Sequence, residues 1–229
     1  MHDSKRSQLS EVRLTAFHSI KQKEIKMGMD VYGRNPKQNK PLSEFPILAK
    51  YKKMEAEDED NGFQKKWKEL DADHDLREKY WKEQTDYEEV NSGYYFRNNC
   101  WWWRPLWNYC YAIADDIISE DVFTDGHHNS GAGLDDKGAK LLGNRLLQQI
   151  REGKTIEYQA SYQQYLDDLP DDVCTFCNGN NRGKNKMKDC TRCNGTGKST
   201  NFNKHYPFDT DNVKEFAEFC LQSGGFKIC

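Results

Sequence analysis

A mainly α-helical body carrying a small β knuckle built on four cysteines is the fold class this sequence predicts, and three observations lead to it. Apolar residues recur at every third or fourth place in several segments between residues 46 and 221, the spacing of amphipathic helices. Two CxxC pairs lie between residues 174 and 193, each followed by Asn-Gly. The 229-residue length leaves room for one substantial domain beside such a knuckle, since domains usually run to roughly 100–200 residues.

The composition bounds what that body can be. Only 36% of residues are hydrophobic and the mean hydropathy is −1.03, so the core must be lean. Aromatics, at 13%, compensate, because Phe, Tyr and Trp bury more area per residue than Val or Leu. With 34 basic and 37 acidic residues, net −3, the chain lacks the strong basic excess that drives sequence-independent nucleic-acid binding. It has no apolar run approaching the roughly 20 residues that span a bilayer, and no cleavable signal, so a cytoplasmic protein with no membrane partner is expected. In a reducing compartment the paired cysteines read as metal ligands, and the scattered Cys100, Cys110, Cys220 and Cys229 as small hydrophobes.

Along the chain, residues 1–26 have helix-like but thin apolar spacing, and Met27 opens MGMDVYG, which reads like a protein start. An N-terminal extension over 1–26 and a helical body over 27–170 are therefore expected. Residues 29–32 predict a short strand, followed by turn chemistry in GRNPKQNKP. Residues 44–88 are dense in Lys, Glu and Asp, with Phe63, Trp67, Leu70, His74 and Trp81 near helical spacing. They predict a charged helical insertion with one helix at about 44–56 and another at about 63–88, split by the acidic run and Asn61-Gly62.

Pro105 predicts the first turn of a buried helix, with Leu106, Tyr109, Cys110, Ile113, Ala114 and Ile117 on one face and Trp107, Tyr111 and Ile118 on the other. Asp135 or Asp136 can cap the next helix, striped by Ala139, Leu142, Leu146 and Ile150. A further helix over about 155–168 carries Ile156, Tyr162, Tyr165 and Leu166 and stops at Pro170. Beyond the cysteines, Asp209 or Asp211 caps a last helix that ends at Gly224 and Gly225. Its apolar face implies that residues 201–229 return to the body, making the knuckle at 171–200 an insertion.

The chemistry-bearing motif is CTFCNGNN followed by CTRCNGTG. In each CxxC pair two thiolates can grip one face of a metal, and the Asn-Gly after it permits the left-handed backbone a tight knuckle needs. Cys174, Cys177, Cys190 and Cys193 are thus expected to hold Zn2+ in a closed, structural site with no position open for water. The alternatives are a redox CxxC or two disulfides, which the duplicated pattern disfavours.

CTRCNGTGK resembles one unit of the cysteine-rich zinc module of DnaJ-type chaperones, whose CxxCxGxG units pair around each zinc. CTFCNGNN keeps CxxCxG but has Asn181 in place of the second glycine. The likeness covers about 25 residues, with neither four units nor a His-Pro-Asp signature present. It implies zinc, and binding of extended polypeptide or a partner. MGMDVYGRNP, YYFRNNCWWWRPLW, HHNSGAGLDD and FAEFCLQSGGFKIC resemble small uncharacterised proteins of bacteriophages and bacteria. That likeness implies a phage or mobile-element origin and a host or phage protein as partner.

Three further groups are candidate ligand or partner sites. Trp101, Trp102 and Trp103 cannot all face one core, so at least one ring is free to stack on a base or a partner, with Arg104 able to clamp phosphate or carboxylate. The preferred alternative is that these rings seal the helix against the charged insertion, with Arg104 paired to a carboxylate. His127, His128 and Asn129 lie in a glycine-rich loop ahead of a helix N-terminus, where an anion or, less simply, an enzyme centre could form; adjacent loop histidines are more often only solvated. Arg182, Lys184, Lys186, Lys188 and Arg192 give the knuckle a positive loop that would suit nucleic acid or nucleotide, or merely offset the charge of four thiolates. The leading expectation is a non-enzymatic, zinc-stabilised binding protein.

Overall fold

The computed structural model describes residues 28–180 and 189–229. The expected N-terminal helix over residues 1–26, and Arg182, Lys184, Lys186 and Lys188, lie outside the described residues. The described chain is mostly helical, with eight α-helices, a four-stranded sheet and a two-stranded ribbon beside the four cysteines.

The first strand, β1 (Gly28–Gly33), is followed by the three helices of the insertion: α1 (Pro46–Glu57), α2 (Gly62–Ala72) and α3 (His74–Val90). One helix had been expected over 63–88, but the chain breaks at Asp73. Its backbone is extended there and its carboxylate accepts the N–H of Leu76 at 3.0 Å, because a short polar side chain caps a new helix better than it continues an old one. Glu83 Oε2 accepts the N–H groups of Ile47 and Leu48 at 2.8 and 2.9 Å, which satisfies orphan donors in the first turn of α1.

The insertion has its own core of Phe45, Leu48, Tyr51, Leu70, Tyr80 and Tyr87. Buried Asn91 ties its end back to the start: its side chain accepts from the Asn39 and Lys40 N–H groups and donates to the carbonyls of Lys40 and Tyr87.

Strand β2 (Tyr95–Asn99) runs directly into α4 (Cys100–Ile113). Pro105 is therefore inside this helix, not in its first turn as expected. Asn99 starts the helix earlier by accepting the N–H groups of Trp101 and Trp102 at 3.0 and 3.1 Å. After α5 (Glu120–Asp125) come β3 (Gly133–Leu134), α6 (Asp136–Arg151), capped by Asp135, and α7 (Lys154–Asp168). Strands β4 (Asp172–Val173) and β5 (Lys198–Ser199) flank the cysteines, then α8 (Thr210–Gln222), capped by Asp209, leads to β6 (Phe226–Ile228). Ile156, expected on the apolar stripe of α7, is instead 62% exposed.

The larger sheet, absent from the expectation apart from β1, is antiparallel between neighbours in the order β2-β1-β6-β3. Its inner face supplies Met29, Val31, Phe96, Leu134, Phe226 and Ile228 to the main core, where they meet Leu106, Cys110, Leu142, Leu146, Val213, Phe216 and Phe219 from α4, α6 and α8. Trp107, on the second apolar face of this helix, is fully buried there. Its Nε1 donates to Phe123 O at 3.0 Å, and a Cβ at Gly126 would come 2.4 Å from that nitrogen, so only glycine lets the next loop lie against the indole. Among the described residues no helix is long and apolar enough to cross a membrane.

Candidate metal centre and adjoining aromatic groove

Among the described residues the four cysteines form a buried cluster of their own. Their sulfurs all lie within 4.8 Å of one another. Cys174 Sγ is 3.9 Å from Cys190 Sγ, and Cys177 Sγ is 3.7 Å from Cys193 Sγ. A tetrahedron with metal–sulfur bonds near 2.3 Å has edges of about 3.8 Å, whereas a disulfide needs about 2.05 Å. All eight cysteines of the chain are free thiols, so the spacing matches a group that could hold a metal ion.

The local backbone shows why the motif folds this way. Asn178 and Asn194 adopt φ of 51° and 48°, and Gly179 and Gly195 φ of 75° and 78°. Each Asn-Gly therefore turns the chain through the left-handed region that asparagine and glycine tolerate best. The N–H groups of Asn180 and Thr196 return to the carbonyls of Cys177 and Cys193, both at 3.0 Å. Cys174 N–H bonds Gly197 O at 2.9 Å, and Gly197 N–H donates to Cys193 Sγ at 3.2 Å. Burial pushes the Cys193 thiol up, but the Gly197 N–H and the other three cysteines outweigh it and bring it down to about 6, which favours the thiolate a metal requires. Cys110 and Cys220, by contrast, are fully buried thiols raised by desolvation, inert members of the apolar core.

The three consecutive tryptophans part company. Trp103 is wholly buried, stacked on Trp107 at 5.4 Å, edge-on to Phe216, and its Nε1 donates to Gly126 O at 2.8 Å. These rings face the main core and not the charged insertion, because the insertion closes a core of its own. Trp101 is partly exposed, its ring 4.8 Å from Tyr206, 5.2 Å from Phe202 and 5.9 Å from His205. Trp102 is also partly exposed.

Arg104 finds a tyrosine where a carboxylate was expected. Its Nη1 donates to Tyr206 Oη at 2.6 Å, its guanidinium lies over the Tyr206 ring, and its Nε is buried without a hydrogen-bond partner. With Tyr162 Oη donating to Tyr206 O at 3.0 Å, this fixes residues 202–206 between α4 and α7. The result is a groove of about 510 Å3 lined by Asn99, Trp101, Trp102, Arg192, Phe202, His205 and Pro207. Phe202, His205 and Pro207 carried no motif and were missed in the sequence; only the aromatic density of NFNKHYPF pointed toward them.

Of the histidine loop, the structure brings His127 near Arg104 but leaves His128 and Asn129 exposed. The His127 ring meets Phe123 edge-on at 4.9 Å. Burial, then the charges of Arg104 and His128, lower its pKa to about 4. Among the described residues its electrostatic neighbours are Arg104 and His128, neither of them the carboxylate that would orient a general base. The sign of the pH effect follows: a neutral histidine favoured by the fold stabilises it above the unfolded pKa near 6.5 and loses that contribution as pH falls toward 4. Wild-type stability should drop by roughly 1–3 kcal/mol across this window, and denaturant melts of His127→Phe should remove most of that slope. An equal slope in the variant would assign the effect to other groups.

Comparisons with protein-family models, curated proteins and solved structures give no match to this chain.

Proposed function

We propose that this chain is a zinc-stabilised, non-catalytic binding protein that engages another protein through the groove beside the metal centre. The observation that carries the reading is the meeting of Trp101, Trp102 and Phe202 from the helical body with Arg192 from the cysteine knuckle in one open groove. Tryptophan and arginine dominate the energetics of protein interfaces when they line a pocket. Arg192 lies between Cys190 and Cys193, so folding of the knuckle around its metal positions one wall of the groove.

Zinc is the proposed ion because four thiolates in a closed shell suit its tetrahedral, redox-inert chemistry. The DnaJ-type resemblance of CTRCNGTGK supports both the metal and the recognition of polypeptide. The resemblance of the WWWRPLW and SGGF segments to phage and bacterial proteins makes a host or phage protein the first candidate partner. Single-stranded nucleic acid or nucleotide is the second reading, favoured by the same pairing of rings with Arg192 and by the cationic residues 182–188 in the sequence.

Affinity capture from bacterial lysate with zinc-loaded protein, with and without nuclease, separates the two. A stoichiometric protein that survives nuclease and is lost with Trp101→Ala and Arg192→Ala is the expected result. Loss of all captured material on nuclease treatment, with affinity falling steeply as salt rises, would transfer the groove to nucleic acid.

A further inference from the structure

We infer a second interaction surface on the helical insertion, where the row of rings Phe63, Trp67 and Trp81 along the seam of α2 and α3 fits a cationic polypeptide segment with apolar anchors. This surface is separate from the groove beside the metal centre. Phe63 is 60% and Trp81 44% exposed, with Trp67 half-buried between them. Ring centroids stand 6.1 Å apart for Phe63–Trp67 and 5.7 Å for Trp67–Trp81.

The row is held from beneath. Lys66, only 5% exposed, places its ammonium 5.2 Å from the Phe63 ring, 5.0 Å from Trp67 and 5.4 Å from Tyr80, and pairs with Glu55 at 2.6 Å. Rings fixed in this way lose little entropy when a partner covers them, which is what makes rigid aromatics effective anchors. A core explanation is insufficient, since Leu70 and Tyr80 already help fill the insertion's interior while Phe63 and Trp81 still expose much of their rings.

Charge selects the occupant. Residues 46–90 hold 14 Asp and Glu against 9 Lys and Arg, and six of those cations are already paired with carboxylates of the insertion. Exposed Glu78 lies three residues before Trp81 on α3, a spacing that sets both on neighbouring positions of one helix surface. The insertion's net excess of carboxylates repels phosphate and a second copy of the same helices, and it attracts Lys- and Arg-bearing chain.

The probe is a fluorescein-labelled amphipathic peptide of lysine and leucine, with a glutamate–leucine counterpart as control, titrated into the full chain by anisotropy. The cationic peptide should bind and the anionic one should not. Phe63→Ser with Trp81→Ser should weaken binding about tenfold or more, and Glu78→Lys a few-fold with the rings intact. Trp101→Ala should leave this binding unchanged, so failure of the groove reading and failure of this one are distinguishable.

Should the double variant fail to fold by circular dichroism, Glu78→Lys and a salt titration decide alone. Equal binding of the two peptides, or an affinity indifferent to Glu78→Lys and to salt, overturns the proposal. Concentration-dependent self-association of the unmutated chain, abolished by Trp81→Ser, would overturn it too, by giving the surface to a second copy.

Discussion

Replacing Cys190 with serine is expected to abolish stoichiometric metal binding and to unfold the knuckle, while both helical cores persist. Cys190 is fully buried, and the buried hydrophobic cluster it belongs to consists, among the described residues, of the four cysteines. Among its described residues the knuckle offers no other apolar cluster to fall back on, so a bound metal would supply its folding free energy, about 10–16 kcal/mol for structural zinc in small peptides. Elemental analysis should show the metal lost. Limited proteolysis should cut within residues 172–199, and the far-ultraviolet circular dichroism of the body should barely change. The same outcome is expected for the unmutated chain stripped by a chelator. A single cooperative collapse of the whole protein on metal removal would sink this picture, because it would mean that the body depends on the knuckle for its own stability.

The second large effect is expected at Trp103. Truncation to alanine empties a site with no solvent access, removes the stack on Trp107 and the edge contact with Phe216, and leaves the Gly126 carbonyl without its indole donor. Losses of this kind cost about 3–5 kcal/mol, which for a chain of this size lowers the melting temperature by roughly 6–20 °C. Trp101→Ala is the natural comparison. Its ring lies at a partly open surface among Phe202, His205 and Tyr206, so its removal should cost about 1 kcal/mol or less and act mainly on binding. Similar melting shifts for the two variants would contradict the division of the tryptophan run into core and surface members.

That division shows where the sequence was legible and where it was not. The four-cysteine cluster could be read outright, because CxxC spacing and Asn-Gly turns are local chemistry: the same few residues supply the sulfurs and the left-handed backbone. Helices with strong periodicity and a capping aspartate, such as α6 and α8, were also legible. The larger sheet was not. Strand β3 has two residues and β6 has three, too short for alternation to emerge, and their partners lie far away in sequence. The WWW run defeated prediction for a related reason: which ring is buried depends on the helix starting at Cys100, and Asn99 decides that with its side chain. An arginine in sequence suggests a carboxylate partner, whereas tertiary contact supplies Arg104 with a phenol and a ring face.

The strand order carries a consequence for how the molecule reaches its folded state. Val31 pairs with Ile228, and β6 stands between β1 and β3, so the middle of the sheet joins positions separated by nearly the whole chain. Closing so long a loop carries an entropic cost of about 4–5 kcal/mol beyond the fixed part, before any contact is gained. The α1–α3 hairpins, the α6–α7 pair and the cysteine knuckle need only local closures. Refolding should therefore pass through early helix formation followed by a slower step in which the sheet is completed, and that late step, not helix formation, sets the time during which the apolar undersides of α4, α6 and α8 stand open to aggregation.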